Sequence, residues 1–144
     1  MNIMNAEQSI KRHILMTMLT EEQMDSDDSL DLSTPSGVDA AYEQAEEYVG
    51  SFADTEIIDA VSEFRCGGQE TNLTCKEYSR HYESEQVAAK LNDGSYVSWV
   101  YWTGGGKYGE PEAMDWMGDA FFVDCEEKQQ MVTTYNFSIK EGAA

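Results

Sequence analysis

The spacing of apolar residues changes from a helical to a strand period near residue 65, and this change constrains the fold most strongly. In the first part, Val38, Ala41 and Tyr42 recur three or four residues apart, as on one face of a helix. In the second part, residues 130–139 alternate apolar and polar side chains, as in a strand with one covered face. Helices first and strands afterwards predict a single α+β domain over residues 1–144, in which about three N-terminal helices pack on one face of a C-terminal antiparallel sheet of four to five strands.

Three helices are predicted in the acidic helical part, residues 1–64. The first covers residues 6–18, the second follows an N-cap at Ser36 and stops at Gly50, and the third covers about 54–64. The polar and acidic residues 25–35 between the first two are predicted to form a loop.

Two hairpins are predicted in the sheet part, residues 65–144. Residues 85–91 and 96–103 flank Asp93-Gly94, a dipeptide typical of two-residue hairpin turns. Residues 120–125 and 130–139 are predicted to form the second hairpin, around Glu126-Glu127-Lys128. Two shorter elements complete the prediction: a strand over 73–78 and a helical turn over 111–117.

The charge of the chain is strongly asymmetric. Between His13 and Phe64 there are fourteen Asp and Glu residues and no Lys or Arg, and the whole chain has a net charge of −19. Like charges three or four residues apart on a helix repel, so helices normally interleave both signs. This cost indicates that the negative field is itself functional. The charge argues against direct binding to nucleic acid or to an anionic membrane, and it favours a cationic partner such as a basic protein surface, with a metal ion as the weaker alternative.

The candidate partner-binding carboxylates lie on the predicted second and third helices, away from their apolar faces. They are spaced about 4.5 to 6 Å apart along each helix axis, from a rise of about 1.5 Å per residue. This density approaches that of a nucleic-acid strand, which has one phosphate about every 3.4 Å. Two other interpretations are a solvated helix face that only keeps the protein soluble, and adaptation to high salt. The candidates are Asp39, Glu43, Glu46, Glu47, Glu56, Asp59 and Glu63.

In charge and size, mainly over residues 13–64, the chain resembles the small acidic inhibitors, often made by phages and mobile elements, that imitate nucleic acid. The resemblance implies a non-enzymatic cytoplasmic protein that occupies the basic site of a nucleic-acid-handling protein. A nuclease, a restriction or CRISPR-type defence complex, or a transcription regulator would qualify.

Two further functions are compatible with the sequence. Large aromatic residues on both faces of the predicted strand 96–103 could leave Trp99 or Tyr101 exposed as anchors for a partner protein, unless the loop 104–118 covers them. Alternatively, carboxylates around Asp115, with Glu112 nearby, could serve a small hydrolase.

Metal, cofactor and cysteine chemistry are not expected. Residues 25–36 approach a calcium loop, but Leu30 replaces its glycine and Ser36 its final Glu. The three cysteines are dispersed and odd in number, which predicts reduced thiols rather than a zinc site or disulfides. His13 is predicted to be a helix-surface residue, and a nucleophilic Cys75–His81 pair would need a proximity that the spacing does not indicate. No apolar run approaches the 18 to 20 residues of a membrane span.

Overall fold

The computed structural model describes residues 3–18, 32–47 and 56–142, without the side chains of Glu46, Glu47 and Glu56. Three helices precede an antiparallel sheet in which the four strands lie in chain order, so the predicted α+β class is confirmed. The elements are α1 (Ala6–Met18), α2 (Pro35–Glu47), α3 (Glu56–Cys66), β1 (Gln69–Glu70), β2 (Tyr82–Lys90), β3 (Tyr96–Gly104), a 3-10 turn (Pro111–Ala113) and β4 (Phe121–Val123).

Helix α1 begins at a reciprocal cap. The Gln8 backbone N–H donates to Asn5 Oδ1 at 2.8 Å, and the Asn5 backbone N–H donates to Gln8 Oε1 at 3.1 Å. This exchange satisfies two backbone donors that would otherwise lack partners at the helix start. The helix buries Ile10 and Ile14 almost completely. Its predicted bounds are confirmed.

Helix α2 starts earlier than predicted because Thr34, not Ser36, is its N-cap. The Thr34 hydroxyl accepts the Gly37 N–H at 3.1 Å, and the Thr34 carbonyl accepts the Val38 N–H at 3.0 Å. Pro35 then occupies the first helical position, where its missing N–H costs nothing. The predicted helix end at residues 48–50 lies outside the described residues.

Helix α3 extends two residues beyond its predicted end at Phe64. Gly67 follows it, and the Gly67 N–H donates to the Phe64 carbonyl at 3.2 Å. The predicted start at residues 54–55 is also outside the described residues.

Strands β2 and β3 form the predicted first hairpin, paired from Tyr82↔Gly104 to Lys90↔Tyr96. The turn differs from the predicted two-residue type. The Gly94 N–H donates to the Leu91 carbonyl at 3.0 Å, the Leu91 N–H donates to the Ser95 carbonyl at 2.8 Å, and Gly94 has a φ of 91°. This is a three-residue turn whose last residue must be left-handed, a conformation that glycine adopts without a Cβ penalty.

The predicted second hairpin does not form. Strand β4 has only three residues and pairs with the start of β3, while residues 130–139 belong to no strand and are fully exposed. The intended turn Glu126-Glu127-Lys128 contains no Gly, Pro, Asn or Asp, so nothing in it favours reversal of the chain. Alternation predicted which side chains share a face, but it could not supply a partner strand. We call residues 128–140 the C-terminal arm.

Two smaller elements also differ from the prediction. Residues 73–78 form no strand; instead β1 pairs with Val87 and Ala88 of β2. The helical turn predicted over 111–117 is reduced to the 3-10 turn. Both segments are held by side-chain contacts to the sheet, which local propensity does not report.

Trp99 is the centre of the core and has no exposed surface. The ring of Phe64 from α3 lies 4.8 Å from it and that of Trp116 lies 5.8 Å away. Helices α2 and α3 both pack against α1. The loop 104–118 therefore contributes Trp116 to the cover of Trp99, which is the covered alternative foreseen from the sequence.

The opposite face of β3 is covered as well. Ser98, Val100 and Trp102 are buried there, and segment 71–81 is tied to β2 across the neighbouring edge. The Thr71 hydroxyl donates to the Gln86 carbonyl at 2.7 Å, and the Ser84 hydroxyl donates to the Glu77 carbonyl at 2.9 Å. Strand β3 is thus buried on both faces.

Candidate functional site

Four of the seven predicted partner-binding carboxylates have described side chains, and all four are exposed. Asp39 and Glu43 lie on α2, and Asp59 and Glu63 lie on α3. We call these four residues the acidic helix surface. Glu46, Glu47 and Glu56 lie on the same helices, but their side chains are outside the described set.

The acidic helix surface is not neutralised by basic side chains. Within residues 3–18, 32–47 and 56–142, the salt bridges join Lys11 to Glu7 and Lys128 to Glu126, and neither includes this surface. The Gln8 amide donates a hydrogen bond to Asp39 Oδ2 at 2.9 Å. A neutral donor leaves the negative charge in place.

Three cations close to these helices, Lys11, Arg12 and Arg65, make contacts that hold the fold together. Lys11 Nζ lies 3.3 Å from Glu7 and 5.0 Å from the ring centre of Tyr42. Arg12 donates to the Leu32 carbonyl at 2.9 Å. Arg65 is buried and donates to the carbonyl of Trp102. Lys11 thus connects α1 to α2, Arg12 connects α1 to the chain before α2, and Arg65 connects α3 to β3.

Helix α1 is the common support of the two acidic helices, but the carboxylates border different grooves. Asp39 and Glu43 line a groove with Lys11, between α1 and α2. Glu63 lines another with His13 and Lys90, between α1, α3 and the end of β2, and Lys90 forms no salt bridge with it among the described residues. The four described carboxylates therefore form two acidic ridges supported by one helix.

The two predicted aromatic anchors differ in exposure. Trp99 is completely buried, and its indole N–H donates to the Arg65 carbonyl at 3.3 Å, so its ring offers no surface to a partner. Tyr101 is half-buried, with the Arg65 guanidinium 4.8 Å from its ring centre. Its hydroxyl donates to the Cys66 sulfur at 3.7 Å, and this contact, followed by burial, raises the pKa of Tyr101.

The most exposed aromatic side chains of the described residues lie at other places. Tyr78 and Tyr108 project from loops, and Tyr135 and Phe137 project from the C-terminal arm, where their rings stack at 6.3 Å. The sequence signal for the last two was the alternation in residues 130–139, which was interpreted as an internal strand.

An apolar groove of about 490 Å³ lies between α2, α3 and the loop before β4. Tyr42, Ile57 and Trp116 line it, and Glu112 is its one lining carboxylate among the described residues. Asp115 is not part of the lining and instead accepts the Gly118 N–H at 2.9 Å. Acid–base hydrolysis of the glycosidase type needs two carboxylates across one site, and this groove does not combine the predicted pair.

His13 is a half-buried structural residue rather than a free helix-surface residue. Its Nδ1 accepts the Asn92 backbone N–H at 3.0 Å, and its ring lies 5.4 Å from that of Phe64. Burial lowers the pKa of His13, although the Asn92 side chain and the charge of Asp93 act in the opposite direction. His13 thereby joins α1 to the turn of the hairpin in its neutral form.

The remaining candidate chemistry is not assembled within the described residues. The Cys75 thiol contacts the Glu77 carbonyl at 3.8 Å, and no hydrogen bond joins its sulfur to the His81 ring within the described residues. All three cysteines are free thiols. The described part of the chain contains no group of three or more His, Cys, Asp or Glu residues arranged to hold a metal ion. Most of the calcium-like segment 25–36 lies outside it.

Among the described helices, none has the length and apolar character needed to cross a membrane. Comparison with known proteins gives no match to a protein-family model, to a curated protein or to a solved structure.

Proposed function

We propose that this protein is a non-enzymatic acidic binding protein that imitates nucleic-acid charge and inhibits a nucleic-acid-handling protein by occupying its basic site. The observation that carries the proposal is that Asp39, Glu43, Asp59 and Glu63 are exposed and form no salt bridge within the described part of the chain. These carboxylates are exposed, while the neighbouring cations Lys11, Arg12 and Arg65 make contacts that stabilise the fold.

The electrostatic effect would act mainly on association. A strongly negative surface raises the rate of encounter with a basic partner by about 10- to 1,000-fold at low salt. Exposed charges are screened beyond about 10 Å at 0.1 M salt, so the affinity should fall steeply as salt is added. Two acidic ridges on either side of α1 would suit a partner with two basic ridges, as in a protein that follows both strands of a duplex.

Partner recognition through the aromatic sheet face remains a second candidate, but with a smaller surface. Only Tyr101 of the two predicted anchors has exposed area, because Trp99 is in the core. A hydrolase is less well supported, since the apolar groove brings Glu112 but not Asp115 to its lining.

The test compares two variants that have the same net charge. The surface variant carries Asp39→Asn, Glu43→Gln, Asp59→Asn and Glu63→Gln. The control variant neutralises four exposed acids of the sheet part, Glu77, Glu83, Glu110 and Asp119, with the corresponding amides. Each variant loses four of the negative charges that make up the wild-type net charge of −19.

Each protein is immobilised and used to capture partners from the lysate of the native host at low salt, and bound proteins are released with duplex DNA and then with a salt gradient. We expect the wild type and the control to retain basic nucleic-acid-handling proteins that duplex DNA displaces, and the surface variant to lose them. Equal retention by both variants, or retention that neither DNA nor salt reduces, would contradict the proposal.

A further inference from the structure

The C-terminal arm exposes more large apolar side chains than any other segment of similar length in the described chain. Met131, Val132, Tyr135, Phe137 and Ile139 are each at least 76% exposed. Soluble proteins do expose single apolar residues, but a contiguous apolar segment marks an interaction surface. Its alternating pattern is that of a strand that has no partner strand.

The arm does not return to its own sheet. Every described residue from Asp124 to Gly142 is exposed, and the segment contains neither helix nor strand. The three residues immediately before the arm, Cys125, Glu126 and Glu127, are not of the types that favour a turn. Thirteen extended residues reach about 43 Å, from about 3.3 Å per residue, which is enough to cross the surface of another molecule.

A groove of about 630 Å³ lies at the base of the arm. Its apolar lining includes Leu73, Ala88 and Val123, and β1 forms one of its walls. Strand β1 has two residues and is the outermost strand of the sheet, so its outer edge is open to pairing with another strand. Extended segments commonly bind at such edges through backbone hydrogen bonds.

The charges of the arm and the groove are complementary. The arm has Lys128 and Lys140 at its two ends and no acidic residue between them. Among the described residues, four acidic residues line the groove, and Lys90 is its one cation. These acids are Glu70, Asp124, Glu126 and Glu127, so four carboxylates face one lysine.

We infer that the arm of one copy of this chain binds the groove of a second copy, and that the second copy returns its own arm, giving a dimer by reciprocal strand exchange. The groove is formed partly by residues at the root of the arm, so an arm that leaves one copy is adjacent to the groove into which the partner's arm would enter. Two-fold symmetry then satisfies both arms with one closed interface. This inference goes beyond the proposed function and does not depend on it.

The test measures the mass of the full chain by sedimentation over a dilution series. We expect a species of twice the 16.2 kDa chain mass. In the arm variant, Tyr135→Ser with Phe137→Ser, the dissociation constant should rise by about 100-fold or more because two large apolar contacts are lost. Both residues are exposed in a single chain, so the fold itself should be unchanged.

The control variant is Tyr78→Ser with Tyr108→Ser, which removes two equally exposed aromatic rings outside the arm and should remain dimeric. Replacing both arm lysines, Lys128→Gln with Lys140→Gln, should weaken the dimer by about tenfold. A wild type that is monomeric at every concentration would overturn the inference. This result is also expected if the arm binds the groove of its own chain. A dimer that the arm variant leaves intact would overturn it as well.

Discussion

The Tyr96 hydroxyl donates a hydrogen bond of 2.8 Å to Glu127 Oε1 and so joins the start of β3 to the residue immediately before the C-terminal arm. Beyond Glu127, the described residues make no hydrogen bond or salt bridge to the sheet, and Lys128 pairs with Glu126 in the same segment. The bond therefore determines where the arm departs from the domain.

This bond can be observed through the acidity of the tyrosine. The hydrogen bond to Glu127, with the carboxylate charge and partial burial, raises the pKa of Tyr96 to about 12. Glu127→Gln retains an acceptor but removes the charge, so the pKa of Tyr96 should fall toward 10. NMR titration of the tyrosine ring carbons measures it. Glu126→Gln is the control, and an unchanged pKa in Glu127→Gln would show that the bond is absent in solution.

Arg65 should contribute strongly to stability because it serves as an internal hydrogen-bond donor. Arg65→Met keeps the length of the side chain but leaves the Trp102 carbonyl without its donor, in a buried position. An unsatisfied buried polar group costs about 1 to 3 kcal/mol. Urea unfolding should show a loss of this size, whereas Arg80→Met, at an exposed position, should change the free energy of unfolding little. Equal effects of the two substitutions would contradict the buried role of Arg65.

Gly68 lies where even a methyl group would enter the core. A Cβ at this position would be 2.6 Å from Val87 Cγ2 and 2.8 Å from Trp99 Cζ2. Gly68→Ala should therefore destabilise the protein by about 1 to 3 kcal/mol through overpacking. Adding Val87→Ala should recover part of the loss that Gly68→Ala causes, because the two sites share the same space. Purely additive effects in thermal or urea unfolding would show that the close approach is not present.

His13 should make stability depend on pH in a defined direction. Its pKa in the folded protein lies below the ordinary value of 6.5 because burial disfavours the charged ring. Between the folded pKa and about 6.5 the unfolded chain binds more protons, so stability falls as the pH decreases through this window and is fully present above it. In His13→Gln, the free energy of unfolding should lack this dependence on pH. His81→Gln, at an exposed position, is the control and should retain it.

The prediction from sequence was most accurate where a local rule and the tertiary contacts agree. Helix α1 has the predicted bounds because its cap and its apolar face are both local features. The first hairpin forms where its turn was expected, although Gly94 closes a three-residue rather than a two-residue loop. The N-cap of α2 was misplaced by two residues because Thr34 and Ser36 are chemically similar, and only the backbone geometry distinguishes them.

The prediction failed where pairing or burial depends on distant residues. The sequence is compatible with either a buried or an exposed Trp99. The contacts of its ring with Phe64 and Trp116 decide that it is buried. His13 was assigned to the surface because its partner Asn92 is far away along the chain.

By itself, the sequence determined the negative charge, the order of helices and strands, and which side chains share a face, because these follow from composition and from spacing along the chain. Only the tertiary structure decided that the acidic ridges lie on two sides of α1, that Trp99 is in the core and that the C-terminal arm has no partner strand. Those outcomes depend on contacts between residues far apart in sequence, whose free energies are set by the packing of the whole domain and not by any local pattern.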